Sequence, residues 1–418
     1  MSTPSPSSRS RAASGLAAGS VGAGVLAYVF FAASTRALGA EDAAPVAVLW
    51  SWWGFAAAGL TFPVQHWITR TAAASGEGAV RAAWATPARL VLGVAAVAGG
   101  VAWLGRETLF AGDAWFVLLT VLVGLGAGGM GVVRGLLGAR RRYAAVGAVL
   151  VGENLVRCVA AGVLVVLDVD DPVAYGAALV LGYAACAAWP SAWRTRPDAA
   201  PDAQPVGGAD AASTRTFLGG AAGAQVVGQA VLTGGPVLLA LLGGSPTEVT
   251  VLFATLALYR APYTVLLGQV VQLTGALTRL VVAGRVDRVT RVEHGVLALT
   301  AVGVVVGAAV GAWPGPWLVR LVFGDEVRVE QGVSVAIAVG SVLALATLVQ
   351  GVVLLSYGRP QRSLLAWLVA LAPAALVVAF SPGSPITTIA VAFVVAEGVA
   401  WLLLVLATQR ARAALTRA

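Results

Sequence analysis

The sequence predicts an all-α integral membrane protein, with twelve transmembrane helices in two homologous six-helix bundles. Three observations carry that prediction. Of 418 residues, 59% are hydrophobic and 11% charged, against roughly a quarter charged in soluble domains, and the mean hydropathy is +0.86. The arginines gather on one side of a twelve-helix count. The two halves of the chain also repeat short sequences at matching places.

Residues 1–13, rich in Ser and Pro with Arg9 and Arg11, read as a disordered cytoplasmic tail. The first bundle occupies 14–194. Segment one, Gly15 to Ser34, is followed by Ala37-Leu38-Gly39-Ala40, which resembles a leader cleavage site. The apolar run is long for a leader and its removal leaves an odd helix count, so it is expected as a retained span. Segments two, three and four follow at Pro45 to Ile68, Pro87 to Gly105 and Ala114 to Leu137. Segment five, Tyr143 to Leu167, is bracketed by Arg134, Arg140, Arg141 and Arg142 before it and by Asp168, Asp170 and Asp171 after it. At 1.5 Å per residue it crosses a hydrocarbon core of about 30 Å, running from the cytoplasm outward because arginines concentrate inside. Segment six is Val173 to Trp193.

A stretch rich in Pro, Asp, Ala and Gly, 195–215, is the expected cytoplasmic linker. The second bundle, 216–410, holds segments seven to twelve. These are Phe217 to Leu242, Thr250 to Leu277, Val292 to Ala312, Val333 to Ser356, Leu364 to Phe380 and Ile386 to Thr408, with 411–418 as a cytoplasmic tail. With both termini inside, 21 of the 27 arginines fall on cytoplasmic stretches and helix ends. The outer loops hold Arg36, Arg106, Arg320 and Arg328, while Arg157 and Arg260 lie within helices. That asymmetry puts both termini in the cytoplasm, and a plasma (inner) membrane is the expected location. Trp103-Leu-Gly-Arg106 after segment three matches Trp317-Leu-Val-Arg320 after segment nine, and the basic end of segment four matches that of segment ten at Arg359 and Arg362. Halves of six helices point the same way, so the expected repeat axis is near the membrane normal.

Several functions are disfavoured. The net charge of +8 comes from arginine alone, with no lysine, and does not mark a nucleic-acid partner. Cys158 and Cys186 lie in apolar segments and imply neither disulfide nor metal. No Walker loop, nucleophile–base pair or His/Cys cluster is present, and the outer loops are short, so neither an enzyme nor a cofactor is expected. His66 and His294 fall at cytoplasmic helix ends.

Short motifs then suggest a family. Arg36-Ala-Leu-Gly39, Arg134-Gly135 with Gly138 and Arg142, Tyr259-Arg260-Ala-Pro262, and Pro316-Trp-Leu-Val-Arg-Leu-Val-Phe-Gly324 resemble the polysaccharide and oligosaccharide flippases. These belong to the multidrug/oligosaccharidyl-lipid/polysaccharide exporter superfamily. The resemblance implies two bundles around a central cleft and alternating-access movement of an anionic lipid-linked glycan. Its partners would be membrane lipids and glycosyltransferases or a polymerase of the same pathway. The major facilitator fold fits less well, because the loop Thr69 to Arg81 lacks the Asp-Arg pair expected there.

Polar residues at membrane depth are the site candidates, since a charge there costs about 2.5–3.5 kcal/mol unless compensated. Arg260, Arg157, Gln225 and Gln229 are expected at substrate, and Glu153 and Glu397 at a coupled proton or sodium ion. Each has a plainer alternative. Glu153 and Arg157, four apart on one face, can neutralise one another. The glutamines can join helices, and Glu397 can pack as a neutral acid. Arg260 has no acid at i±4 and precedes Pro262, so its partner lies elsewhere. The same fold can also serve as a cation-coupled exporter of small drugs. A non-transporting scaffold of a polysaccharide-synthesis complex would show Arg157 and Arg260 closed in ion pairs.

Overall fold

The computed structural model describes residues 6–140, 142–193, 223–267, 273, 276–277, 280–281 and 283–415. The chain divides into two units, 1–209 and 210–418. The linker 195–215, Arg141 and the start of segment seven lie outside the described residues.

In the first unit, α1 spans Pro6–Asp42, α2 Ala44–Ala56, α3 Phe62–Ala82, α4 Ala85–Leu104, α5 Arg106–Leu109, α6 Trp115–Ala139, α7 Tyr143–Val166 and α8 Pro172–Leu181. Residues 6–13, expected as a disordered tail, are helical. Pro6 sits where its missing N–H costs nothing, and no breaker follows before Gly15. A wide π-type turn, Ala57–Thr61, joins α2 to α3. Pro63 withholds the donor that the Gly59 carbonyl would take in an α-helix, and the Thr61 hydroxyl donates to the Ala127 carbonyl at 2.9 Å.

Helix α6 is the hub of this unit, packed by α2, α3, α4 and α8. Small residues permit those approaches, as in membrane bundles generally. A Cβ on Gly131 would stand 2.8 Å from the Thr61 carbonyl oxygen, and one on Gly135 would stand 2.9 Å from the Ile68 Cβ. Helix α8 gives way to a 3-10 stretch, Gly182–Ala188, beside α7. There a Cβ on Gly182 would meet Arg157 Cγ at 2.7 Å and the Glu153 carbonyl oxygen at 2.8 Å. Gly182→Ala is therefore expected to destabilise by about 1–3 kcal/mol, read as a lower unfolding midpoint in detergent.

In the second unit, α9 spans Gly223–Thr233 and α10 Gly235–Leu241, bent by 61° to each other. They are followed by α11 Pro246–Tyr259, α12 Ala261–Leu267, α13 Val286–Ala312, α14 Pro314–Phe323, α15 Gln331–Ser356, α16 Pro360–Phe380 and α17 Pro385–Leu415. A reciprocal Ser245–Glu248 cap starts α11. The hub is α15, packed by α11, α13, α16 and α17. Each unit thus packs its fourth expected segment against its second, third and sixth, and its fifth against its sixth. Residues 411–415, expected as a tail, continue α17. Ala411 is buried in a cluster with Val352, Val353 and Leu404, which holds the helix end in place.

Among the described residues, nine helices are long and apolar enough to cross a membrane, and α9 with α10 make a tenth if the bent pair is one span. Expected segments six and eight are shorter apolar helices, Pro172–Ala188 and Pro246–Tyr259. Segment eight is interrupted at Arg260, because Pro262 cannot donate to the Leu258 carbonyl; α12 follows at once, and most of 268–277 lies outside the described residues. Leu104, Val166, Leu299 and Val305 are among the apolar side chains left exposed on the helices, as lipid-facing surface requires.

Candidate functional site

In the second unit several intramembrane polar residues line one cavity of about 90 Å³. That is room for several waters. Gln225 and Gln229 come from α9, Tyr263 from α12, Thr347 from α15, Ser363 and Trp367 from α16, and Glu397 from α17. Glu397 is 1% exposed, and its Oε2 accepts a 2.8 Å hydrogen bond from the Thr347 hydroxyl. No arginine contacts it among the described residues. The expected residues Gln225, Gln229 and Glu397 are thus neighbours. Thr347, Tyr263 and Ser363 complete the polar lining.

Arg260 stands at the edge of this group. Its Nη1 donates at 2.7 Å to the Leu232 carbonyl, and its Nε at 3.0 Å to the Leu256 carbonyl. Leu232 itself lines the cavity. The physical reason lies four residues on, where Pro236 has no N–H to offer Leu232. The guanidinium caps the carbonyl freed at the bend between α9 and α10. Tyr263 lies within electrostatic reach of both Arg260 and Glu397.

In the first unit, Glu153 and Arg157 form a closed pair. Arg157 Nη2 donates to Glu153 Oε1, its Nε to the Leu179 carbonyl at 2.8 Å, and its Nη1 to Asn154 Oδ1 at 3.3 Å. Trp53 Nε1 donates to the same carboxylate oxygen at 3.2 Å. The guanidinium also stands 4.8 Å from the Trp53 ring centroid and 5.4 Å from that of Tyr183. Arg157 is wholly buried. The pair thus takes the closed form that its i, i+4 spacing permits.

Two further charge clusters escaped the sequence reading because their partners are far apart along the chain. Arg140 donates to both Glu77 carboxylate oxygens at 2.7 Å, and Glu77 thereby holds the guanidinium above its ordinary pKa. In the second unit, Arg412 donates to Glu293 at 2.8 Å and Tyr357 donates to the same carboxylate at 3.0 Å. Burial and the Glu293 carboxylate push the Tyr357 phenol up. Both clusters lie at the ends expected to face the cytoplasm and bind helices together there. Among the described residues no group of His, Cys, Asp and Glu is placed to hold a metal ion.

These features define a multi-pass membrane protein with the two-bundle fold of MATE family transporters of the MOP superfamily. An inward-facing multidrug resistance MATE family transporter of the MOP superfamily matches with a TM-score of 0.66 at 15% identity, covering 94% of this chain and 96% of its own. An outward-facing conformation of such a transporter matches with a TM-score of 0.57 at 16% identity, covering 97% and 96%. A MOP superfamily transporter from Pyrococcus furiosus, described as having reverse polarity of its binding pocket, matches with a TM-score of 0.59 at 15% identity and the same coverage. No family model and no curated protein matches the sequence.

Proposed function

We propose that the chain is a cation-coupled exporter of small molecules working by alternating access in a plasma (inner) membrane, with proton exchange at Glu397 as the coupling event. The observation that carries this is a buried carboxyl on a polar cavity, with one hydroxyl donor and no paired arginine among the described residues. A carboxyl so placed can exchange a proton with whichever side the cavity opens to. The likeness to inward- and outward-facing transporters supports the alternating cycle. The polar cavity also argues against a purely scaffolding role.

A lipid-linked oligosaccharide as cargo is the second reading, favoured by the motifs around Arg36, Arg134, Arg260 and Gly324. Glycosyltransferases or a polymerase would then be functional partners. Export assays in proteoliposomes under an imposed pH gradient separate the two, using an amphiphilic dye and a lipid-linked oligosaccharide as alternative cargoes. Gradient-driven dye transport that Glu397→Gln abolishes, with folding retained, is the expected result. Transport unchanged in Glu397→Gln would remove the coupling role.

A further inference from the structure

We infer that Gln350 and Thr347 are positioning residues of a proton route to Glu397 from the end of the second unit expected to face the cytoplasm. This rests on the exporter reading above and deepens it. Gln350, on α15, is 2% exposed, and its Oε1 is enclosed without a hydrogen-bond partner among the described residues. It lines a narrow cleft of about 10 Å³ together with Glu293 and His294 from α13 and Gln409 and Arg412 from α17. His294 and Gln409 are exposed whereas Gln350 and Glu293 are buried, so the cleft leads inward from the surface. It has room for about one water. Both Glu293 oxygens are already taken, Oε2 by Arg412 at 2.8 Å and Oε1 by the Tyr357 hydroxyl at 3.0 Å. Gln350 is thus the buried group there with hydrogen-bonding capacity left for a water. A glutamine that served packing alone would place its oxygen on a neighbouring donor.

Thr347 stands three residues before Gln350 on α15, a spacing that makes the two neighbours on one helix face, about 5–6 Å apart at Cβ. Thr347 also lines the larger cavity, and its hydroxyl donates to Glu397 Oε2 at 2.8 Å. One face of the hub helix therefore joins the cleft to the carboxyl. The Thr347 Oγ1 has other acceptors, the Leu343 and Ala344 carbonyls at 3.0 and 2.9 Å. It can turn its proton to them and accept from Glu397 once the carboxyl is protonated. In the transfer itself, a water held at Gln350 gives a proton to the Thr347 hydroxyl as that hydroxyl gives its own to the carboxylate. The water is then restored by a proton from the cleft. One proton enters for each that leaves, so Glu397 alone changes charge. The titratable and charged groups along this path are Glu293, His294, Tyr357 and Arg412 at its mouth, and Tyr263, within reach of Arg260, beside Glu397.

The test uses full-length protein in proteoliposomes, with turnover of an amphiphilic dye under an imposed pH gradient measured in H₂O and in D₂O. Dye affinity and unfolding midpoint are measured on the same preparations in detergent. Gln350→Leu removes the water's partner and also an unsatisfied polar atom, so it should fold at least as well as the parent. Its turnover should fall by about tenfold or more, as loss of a positioned proton carrier does. Its dye affinity should be unchanged and its solvent isotope effect larger than the parent's, because proton delivery has become the slow step. Thr347→Val should behave alike, and serves alone if Gln350→Leu does not fold, while Thr347→Ser should restore the parent rate. Parent turnover in both Gln350→Leu and Thr347→Val would overturn the route. So would a slowed variant whose isotope effect is unchanged and whose loss follows its dye affinity or its unfolding midpoint. The coupling itself is read separately in Glu397→Gln. If that variant transports normally, coupling at Glu397 fails and the route falls with it; if it is inactive while Gln350→Leu and Thr347→Val turn over normally, coupling stands and the route alone fails.

Discussion

Arg157→Leu is expected to destabilise the protein by about 3–5 kcal/mol, because it strands the buried Glu153 carboxylate. Trp53 would remain a donor to that carboxylate, but no cation would face it. Glu153→Leu is expected to be costly as well, leaving the guanidinium to the Leu179 carbonyl and Asn154 alone. Removing both charges together should recover much of the loss, since a buried pair barely repays its own desolvation. Unfolding midpoints in detergent for the two single variants and the double variant check this. Equal stability of all three with the parent would mean that water, rather than the partner side chain, solvates each charge.

Arg260→Gln is expected to cost about 1–3 kcal/mol, the penalty for a buried acceptor left without its donor. The acceptor is the Leu232 carbonyl, which Pro236 cannot serve. This role has a specific rescue. Pro236→Ala restores a backbone donor, so Arg260→Gln with Pro236→Ala should be more stable than Arg260→Gln alone. Thermal stability and export are to be measured on the same preparations. A variant that is fully stable yet exports nothing would instead make Arg260 a ligand of the cargo.

The transmembrane segments were legible because hydropathy and arginine placement depend only on local sequence. What was less legible was where a span breaks. Pro262 marks the break after Arg260 in the sequence itself, whereas the change at Gly182 lies where Arg157 Nε takes the Leu179 carbonyl, a contact reached only through the fold. The cavity was partly visible, since Gln225, Gln229 and Glu397 stand out as polar groups in apolar runs. Thr347 stands out no more than any other intramembrane threonine, and its role depends on a partner fifty residues away. The destination of Arg260 could not be read, because nothing local ties it to the bend before Pro236.

The family motifs have structural explanations of their own. Gly39 and Gly324, with φ of 78° and 111°, occupy conformations that favour glycine. Tyr259 is hydrogen-bonded to Ser334 at 2.8 Å. Conformation and packing account for these residues without reference to a glycan.

The coupling claim is tested most directly by measuring protons rather than flux. Purified protein in a weakly buffered micellar solution is mixed with a transported amphiphile, and the proton released or taken up on binding is recorded with a pH dye. The expected result is cargo-dependent proton exchange in the parent that is lost in Glu397→Gln, while that variant still binds the amphiphile. Binding without any proton exchange in the parent, or exchange that persists in Glu397→Gln, would contradict coupling through this carboxyl.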